Sequence, residues 1–237
     1  MTDSDGGRRP RAFEEVLARI EERILADGLT AGDRLPGERQ LAEQLKVGRS
    51  SVREALRVLE TLGVVSSQAG RGPDAGAVLT SRPGSALTDL VRLHLGLAAL
   101  SMREVVDTRL MIEQWSVARA ARSGAGLEEM DRALTAMDAA ASPRAFVEHD
   151  VAFHLAITEA SGNRLTAAIM RALREAVHRY AVDAVVRLGD TGDLQADHRR
   201  IHAAVRDGDA AGAAAAIADH LARAYPPGQP GQSGQSG

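Results

Sequence analysis

Cysteine is absent from the 237-residue chain, which excludes disulfides and thiolate metal sites outright. Lysine is nearly absent too. Of 29 basic residues 28 are arginine, so guanidinium groups populate any exposed face and an isolated arginine pair carries little information. No stretch reaches the roughly 18 apolar residues that a membrane span needs, and the N-terminus has no signal-peptide apolar region, so the cytoplasm is the expected compartment. Both ends are expected to be disordered tails. Residues 1–11 are polar and basic, and 226–237 repeat Pro, Gly, Gln and Ser, compositions that cannot bury enough apolar surface to order themselves.

The remainder is 44% hydrophobic over the whole length, enough for a substantial core in one large or two smaller domains. Charge divides it unevenly. Between Arg34 and Arg71 there are seven basic residues against four acidic, a net of +3 in a chain whose total is −3. A basic island on a mildly acidic body points to a nucleic-acid face.

That island has the pattern of two helices and a tight turn. Leu41, Ala42 and Leu45 make one apolar stripe on a helix predicted over 38–46, and Val47 with Gly48 makes the turn. A longer helix over 49–62 puts Val52, Ala55, Leu56, Leu59 and Leu62 toward the core, leaving Arg49, Ser50, Arg53 and Arg57 free to meet DNA. Arginine suits such a contact, because its planar fork bonds two guanine acceptors at once, while the Ser50 and Ser51 hydroxyls and the helix N-terminus offer donors to phosphate. A helix over 12–27 precedes this pair. Residues 64–67 and 77–80 are predicted to form a small hairpin around Gly70-Arg-Gly-Pro-Asp-Ala-Gly.

The segments Leu35-Pro-Gly-Glu-Arg-Gln-Leu-Ala-Glu-Gln-Leu, Val47-Gly-Arg-Ser-Ser-Val-Arg-Glu-Ala-Leu-Arg-Val-Leu, Gly63-Val-Val and Gly70-Arg-Gly together resemble the winged-helix domain of GntR-type bacterial transcription regulators. The resemblance implies that Arg39, Arg49, Arg53 and Gly70 at the wing tip contact DNA, with Arg34 as a phosphate contact. Two positions depart from the usual pattern. Gly37 stands where serine or alanine is common, and Gly48 where serine or threonine is, which forfeits a capping bond and one phosphate donor. The wing is also longer and richer in glycine than usual.

Beyond residue 81 nothing alternates with a strand period, so a second, all-α domain is expected over 82–225, after a winged-helix domain over 12–81. Helices are predicted over 85–97, 101–123, 127–141, 143–160, 163–188, 191–207 and 209–225, with breaks at glycine, serine and proline. The fold class is therefore mainly α, with one small β-hairpin.

All seven histidines lie beyond residue 90. Asp150 and His154, four apart, share one helix face, and His198 and His220 reach similar heights if the last two helices are antiparallel. A metal could sit between three helices. One aspartate with three neutral imidazoles suits zinc first, with nickel or manganese as alternatives, better than calcium or magnesium. Spacing alone leaves the plainer reading open, in which these are ordinary core and surface histidines.

The stretches Asp107-Thr-Arg-Leu-Met-Ile-Glu, Asp150-Val-Ala-Phe-His-Leu-Ala-Ile, Ser161-Gly-Asn and Asp197-His-Arg-Arg-Ile-His resemble the FCD ligand-sensing domain of one GntR branch. The resemblance implies that Asp150, His154, His198 and His220 hold the ion, leaving His202, His149, His94 and His178 as false ligands. It also implies a small organic acid as effector, with Arg109 as its countercharge and Asn163 as a further cavity residue. Two plainer roles compete: Arg109 as the partner of Glu113 and Asn163 as a helix cap.

Together these readings imply a ligand-responsive regulator, by family default a repressor, that binds a palindromic operator as a homodimer. A metal-dependent hydrolase or lyase with a DNA-binding head, and a regulator with a purely structural metal, are the alternatives. The enzyme reading has only Glu148, His149 and His202 as candidate bases, none in a motif context.

Overall fold

The computed structural model describes residues 12–67, 77–80 and 83–226. The wing tip with Gly70 and both expected tails, apart from Pro226, lie outside the described residues. The chain divides into two compact units, Met1–Ala86 and Leu87–Gly237.

In the first unit, α1 (Ala12–Ala26), α2 (Glu38–Leu45) and α3 (Arg49–Thr61) close over a two-stranded sheet. Val16 and Ile20 of α1, Leu41 of α2, and Val52, Ala55 and Leu59 of α3 are buried together with Leu35, which gives each helix one apolar stripe at helical spacing. Strand β1 (Val65–Ser67) pairs antiparallel with β2 (Ala77–Leu79), Val65 opposite Leu79, and Arg34 bridges to Val78. Lys46 ends α2 with a left-handed backbone, φ 53°, which turns the chain sharply into α3. Gly37 and Gly48 are the N-caps of α2 and α3, and neither helix start receives a side-chain capping bond. Leu62 differs from expectation. As the C-cap of α3 it is 44% exposed, because the core stripe ends at Leu59.

Helix α4 (Pro83–Gly96) begins before the boundary and runs into the second unit, whose described residues are otherwise in α5 (Met102–Ser123), α6 (Leu127–Asp138), α7 (Pro143–Ala160), α8 (Arg164–Leu188), α9 (Gly192–Arg206), α10 (Ala210–Ala224) and their connections. Ser101 and Glu104 form a capping box that starts α5, and Ser142 with Pro143 starts α7. That second cap shortens α6, which stops at Asp138 instead of residue 141 because the chain must reach a new N-cap at Ser142. Gly126 lets α6 and α7 approach closely: a Cβ there would lie 2.7 Å from that of Ala160, at a φ of +78°. Helix α5 packs against α7, α8, α9 and α10, and Val117, Phe153, Ile157, Ile201 and Ile217 fill the core between them.

Candidate functional site

The α7 cap fixes the rotation of that helix, so Phe153 and Ile157 pack into the core while Asp150 and His154 project beside them. His198 on α9 and His220 on α10 complete a group whose four ligand atoms, one per residue, lie within 4.8 Å of one another. Imidazole centroids are 4.4 Å apart for His198 and His220, 5.1 Å for His154 and His220, and 5.5 Å for His154 and His198. The three rings are buried, and Phe153 lies against two of them.

Hydrogen bonding assigns the ring nitrogens. His154 Nδ1 lies 2.5 Å from Glu113 Oε2, a carboxylate that only accepts, so Nδ1 carries a proton. Gln195 gives its amide hydrogens to Leu134 O and Asp138 Oδ1, which turns its own oxygen toward His198 Nδ1 at 3.3 Å. In the neutral rings both Nε2 atoms are then lone-pair sites. They stand 3.4 Å (His154) and 3.0 Å (His198) from Asp150 Oδ1, yet both are buried without a hydrogen bond. Lone pairs and a carboxylate oxygen crowded together in low dielectric repel one another unless a cation lies among them, so the donor set fits a borderline divalent metal. His220 Nδ1 is likewise buried without a hydrogen bond, 3.9 Å from Asp197 Oδ2.

Electrostatics favour the ligating forms of His198, His220 and Asp150. Burial pushes His198 below the usual histidine range, and burial with the neighbouring His198 and His154 pushes His220 well below it. Burial alone would raise Asp150, but the Arg174 guanidinium beside it opposes that, and the carboxyl is held well below its ordinary range. Glu113 is lowered in the same way against burial, by His154 and Arg109.

In the first unit, Arg49 and Ser50 are exposed at the start of α3, with Ser51 half-buried beside them. Arg39 is exposed on α2, 3.9 Å from Glu43. Arg34 is exposed next to its bridge to β2. Arg53 corrects an expectation: it is not free, because its guanidinium donates to Glu38 on α2 at 3.0–3.3 Å.

Residues 12–73 match the bacterial regulatory proteins of the gntR family, and residues 104–223 match the FCD domain. The chain is 31% identical over 236 residues to the Uxu operon transcriptional regulator of Escherichia coli strain K12, covering 93% of this chain and 87% of that protein. The chain belongs to the GntR family, with an FCD domain. This GntR regulator is also 30% identical to the Glc operon transcriptional activator of the same strain, over 84% of this chain and 81% of the relative. Among solved structures, the Streptococcus agalactiae GntR shares its fold at TM-score 0.65 and 24% identity, over 88% of this chain and 96% of that one. Family and relatives are transcription regulators, not enzymes. Among the described residues no helix is long and apolar enough to cross a membrane.

In this GntR regulator Arg109 is wholly buried and pairs with Glu113, the plainer of the two roles weighed for it. Its Nε donates to Glu113 Oε1 at 3.0 Å and its Nη2 lies 3.0 Å from the same oxygen, while Nη1 is buried without a hydrogen bond. Its carbon Cζ lies 5.4 Å from the Tyr225 ring. Tyr225, His220, Asp150 and Arg174 line a cavity of about 30 Å³. Asn163 is exposed and caps α8, its Oδ1 accepting from Leu165 and Thr166 N–H, which is the plainer role weighed for it. His202 also stands outside the cluster, 3.4 Å from Asp131.

Two contributors escaped sequence reading. Glu113, weighed only as a partner for Arg109, orients His154 across 41 residues of sequence, and Arg174 pairs with Asp150 across 24. The only available signal was their placement on the inner stripes of α5 and α8.

Proposed function

We propose that this GntR regulator is a repressor that binds a palindromic operator as a homodimer and releases it when a small carboxylate occupies a metal-containing site in the helical domain. Residues 12–81 would serve DNA and residues 82–225 the effector. Asp150, His154, His198 and His220 would hold the ion, zinc by preference, with nickel or manganese as alternatives. The observation that carries this reading is the convergence of buried imidazole nitrogens lacking hydrogen bonds on one carboxylate oxygen. The Nη1 of Arg109, buried without a hydrogen bond while Nε and Nη2 face Glu113, supplies the matching argument for a carboxylate, since a buried guanidinium N–H without an acceptor favours an anion.

The small cavity supports a switch. About 30 Å³ holds a water or two, so a bound acid must widen the space between α7, α8, α9 and α10, and that difference between states is what an effector needs to shift a population. On the DNA side, Arg49 is the assigned base contact, with Ser50, Ser51, Arg34, Arg39 and Gly70 serving backbone phosphates. Arg53 joins them only by exchanging Glu38 for DNA.

Calorimetric titration of the metal-stripped protein with zinc, then with a panel of hydroxy acids and dicarboxylates, tests the reading. The expected result is zinc binding with one ion per chain and acid binding only to the loaded form. Acid binding indifferent to zinc would reduce the metal to a structural brace. Turnover of an acid would overturn the regulator-only account. The relative named as an activator makes the sign of regulation a separate readout, scored by reporter expression with and without the protein.

A further inference from the structure

Helix α5 has two functional faces. Its inner face buries Arg109, Glu113, Ser116, Val117 and Ala120. Its outer face, at three- and four-residue spacing, presents Glu104, Asp107, Met111, Trp115, Arg119 and Arg122, of which Met111 is 66% exposed and Trp115, the chain's sole tryptophan, 44%. Read along the helix, this face is acidic, then apolar, then basic.

The order is also symmetric. Glu104 and Arg122 each lie nine residues from Glu113, Asp107 and Arg119 each lie six, and Met111 and Trp115 each lie two. Rotation by half a turn about an axis through the middle of this face therefore exchanges every acidic position for a basic one and each apolar position for the other. Such a surface is its own complement, which is the condition for an isologous twofold contact. Local bonds orient the side chains without covering them. Ser101 holds Glu104, Arg103 lies 3.8 Å from Asp107, and Arg119 donates from Nε to Ser161 O at 3.0 Å with its Cζ 5.2 Å from the Trp115 ring.

We infer that α5 pairs antiparallel with α5 of a second copy of this chain, about a twofold axis opposite Glu113, with Glu104 facing Arg122, Asp107 facing Arg119 and Met111 facing Trp115 across the axis. Burying Met111 and Trp115 supplies the apolar centre, and the charged pairs at the rim set the register and exclude a parallel arrangement. The inference rests on the homodimer of the proposed function and locates its interface. It also places the subunit contact on the helix whose inner face carries Arg109 and Glu113.

Two charge-reversed variants of the full chain test this. Asp107→Arg sets arginine against Arg119 of the second copy, and Arg119→Asp sets aspartate against Asp107. Sedimentation velocity of each variant alone should show self-association weakened by about tenfold or more, since like charges meet twice per dimer. An equimolar mixture should recover the parent's dimerisation, because the mixed dimer restores both opposite-charge pairs. Met111→Glu, which leaves every named ion pair intact, should weaken self-association separately, and the Trp115 emission of the parent should shift to the red on dilution. Variants that dimerise and bind operator as the parent does would overturn the α5 interface while leaving the regulator reading intact. Failure of the mixture to recover would also overturn it. A parent that stays monomeric while binding operator would overturn the homodimer together with the interface.

Discussion

Arg53 at the surface of the first unit and Arg109 inside the second both hold a glutamate, but the surroundings make the two pairs unlike. The Arg53–Glu38 side chains are 52% and 34% exposed, so water and salt compete for both and the pair gives way readily to a phosphate or a guanine. The Arg109–Glu113 side chains are 1% and 0% exposed, and neither charge has an alternative in solvent. In the proposed function the first pair would thus be a placeholder for DNA. The second is fixed framework, and in the proposed function what it would offer a ligand is Nη1, buried without a hydrogen bond. An exposed arginine can exchange partners with solvent and ligands, whereas a buried one keeps the partner the fold gives it.

The comparison breaks most sharply if a buried charge is removed. Asp150→Ala should abolish zinc binding and, by leaving Arg174 unpaired, destabilise the helical unit by about 3–5 kcal/mol in denaturant unfolding. Glu113→Gln keeps the shape but weakens the hold on His154, and zinc affinity measured with a competing chelator should fall by about ten- to hundredfold. Arg49→Ala acts on the other unit: operator affinity should fall by about 1–3 kcal/mol with zinc binding unchanged. Loss of zinc affinity in that variant would mean that the units are not separable as argued.

Acid supplies a milder perturbation. His198 and His220 have folded values below the ordinary histidine value of 6.5, so the unfolded chain takes up protons first. Their contribution to stability is complete above 6.5 and is lost as pH falls from there toward the depressed folded values. Melting of the metal-stripped protein followed from about pH 8 to about pH 5 should show this decline, and the variant with His198→Gln and His220→Gln should flatten it. The smallest effect belongs to the surface pair. Glu38→Gln removes the competitor for Arg53 and should raise operator affinity by less than about fivefold, an effect that shrinks with added salt.

Most of the architecture was legible in the sequence because helix caps and apolar spacing are local. The Ser142-Pro143 cap and the Ser101–Glu104 box place α7 and α5, and Asp150 and His154 follow from a single helical turn. What was not legible depends on partners chosen across the fold. Apolar spacing put Arg53 on the outer face of α3, but the identity of its partner required knowing that α2 brings Glu38 beside it. The same holds for Glu113 and Arg174, which read as ordinary helix residues until α5 and α8 meet α7. Leu62 failed for a simpler reason: periodicity extends past the last turn, whereas burial does not.

The claim that the buried arginine and the histidine cluster govern the exposed one is tested most directly by operator binding. DNA fragments captured by the purified protein would supply the operator, and fluorescence anisotropy would report its affinity for zinc-loaded protein across a panel of small hydroxy acids and dicarboxylates. At least one acid should weaken operator binding by about tenfold, and Arg109→Lys, which loses the planar fork, should keep the basal affinity but lose that response. A response that survives both in Arg109→Lys and in Asp150→Ala would contradict the account.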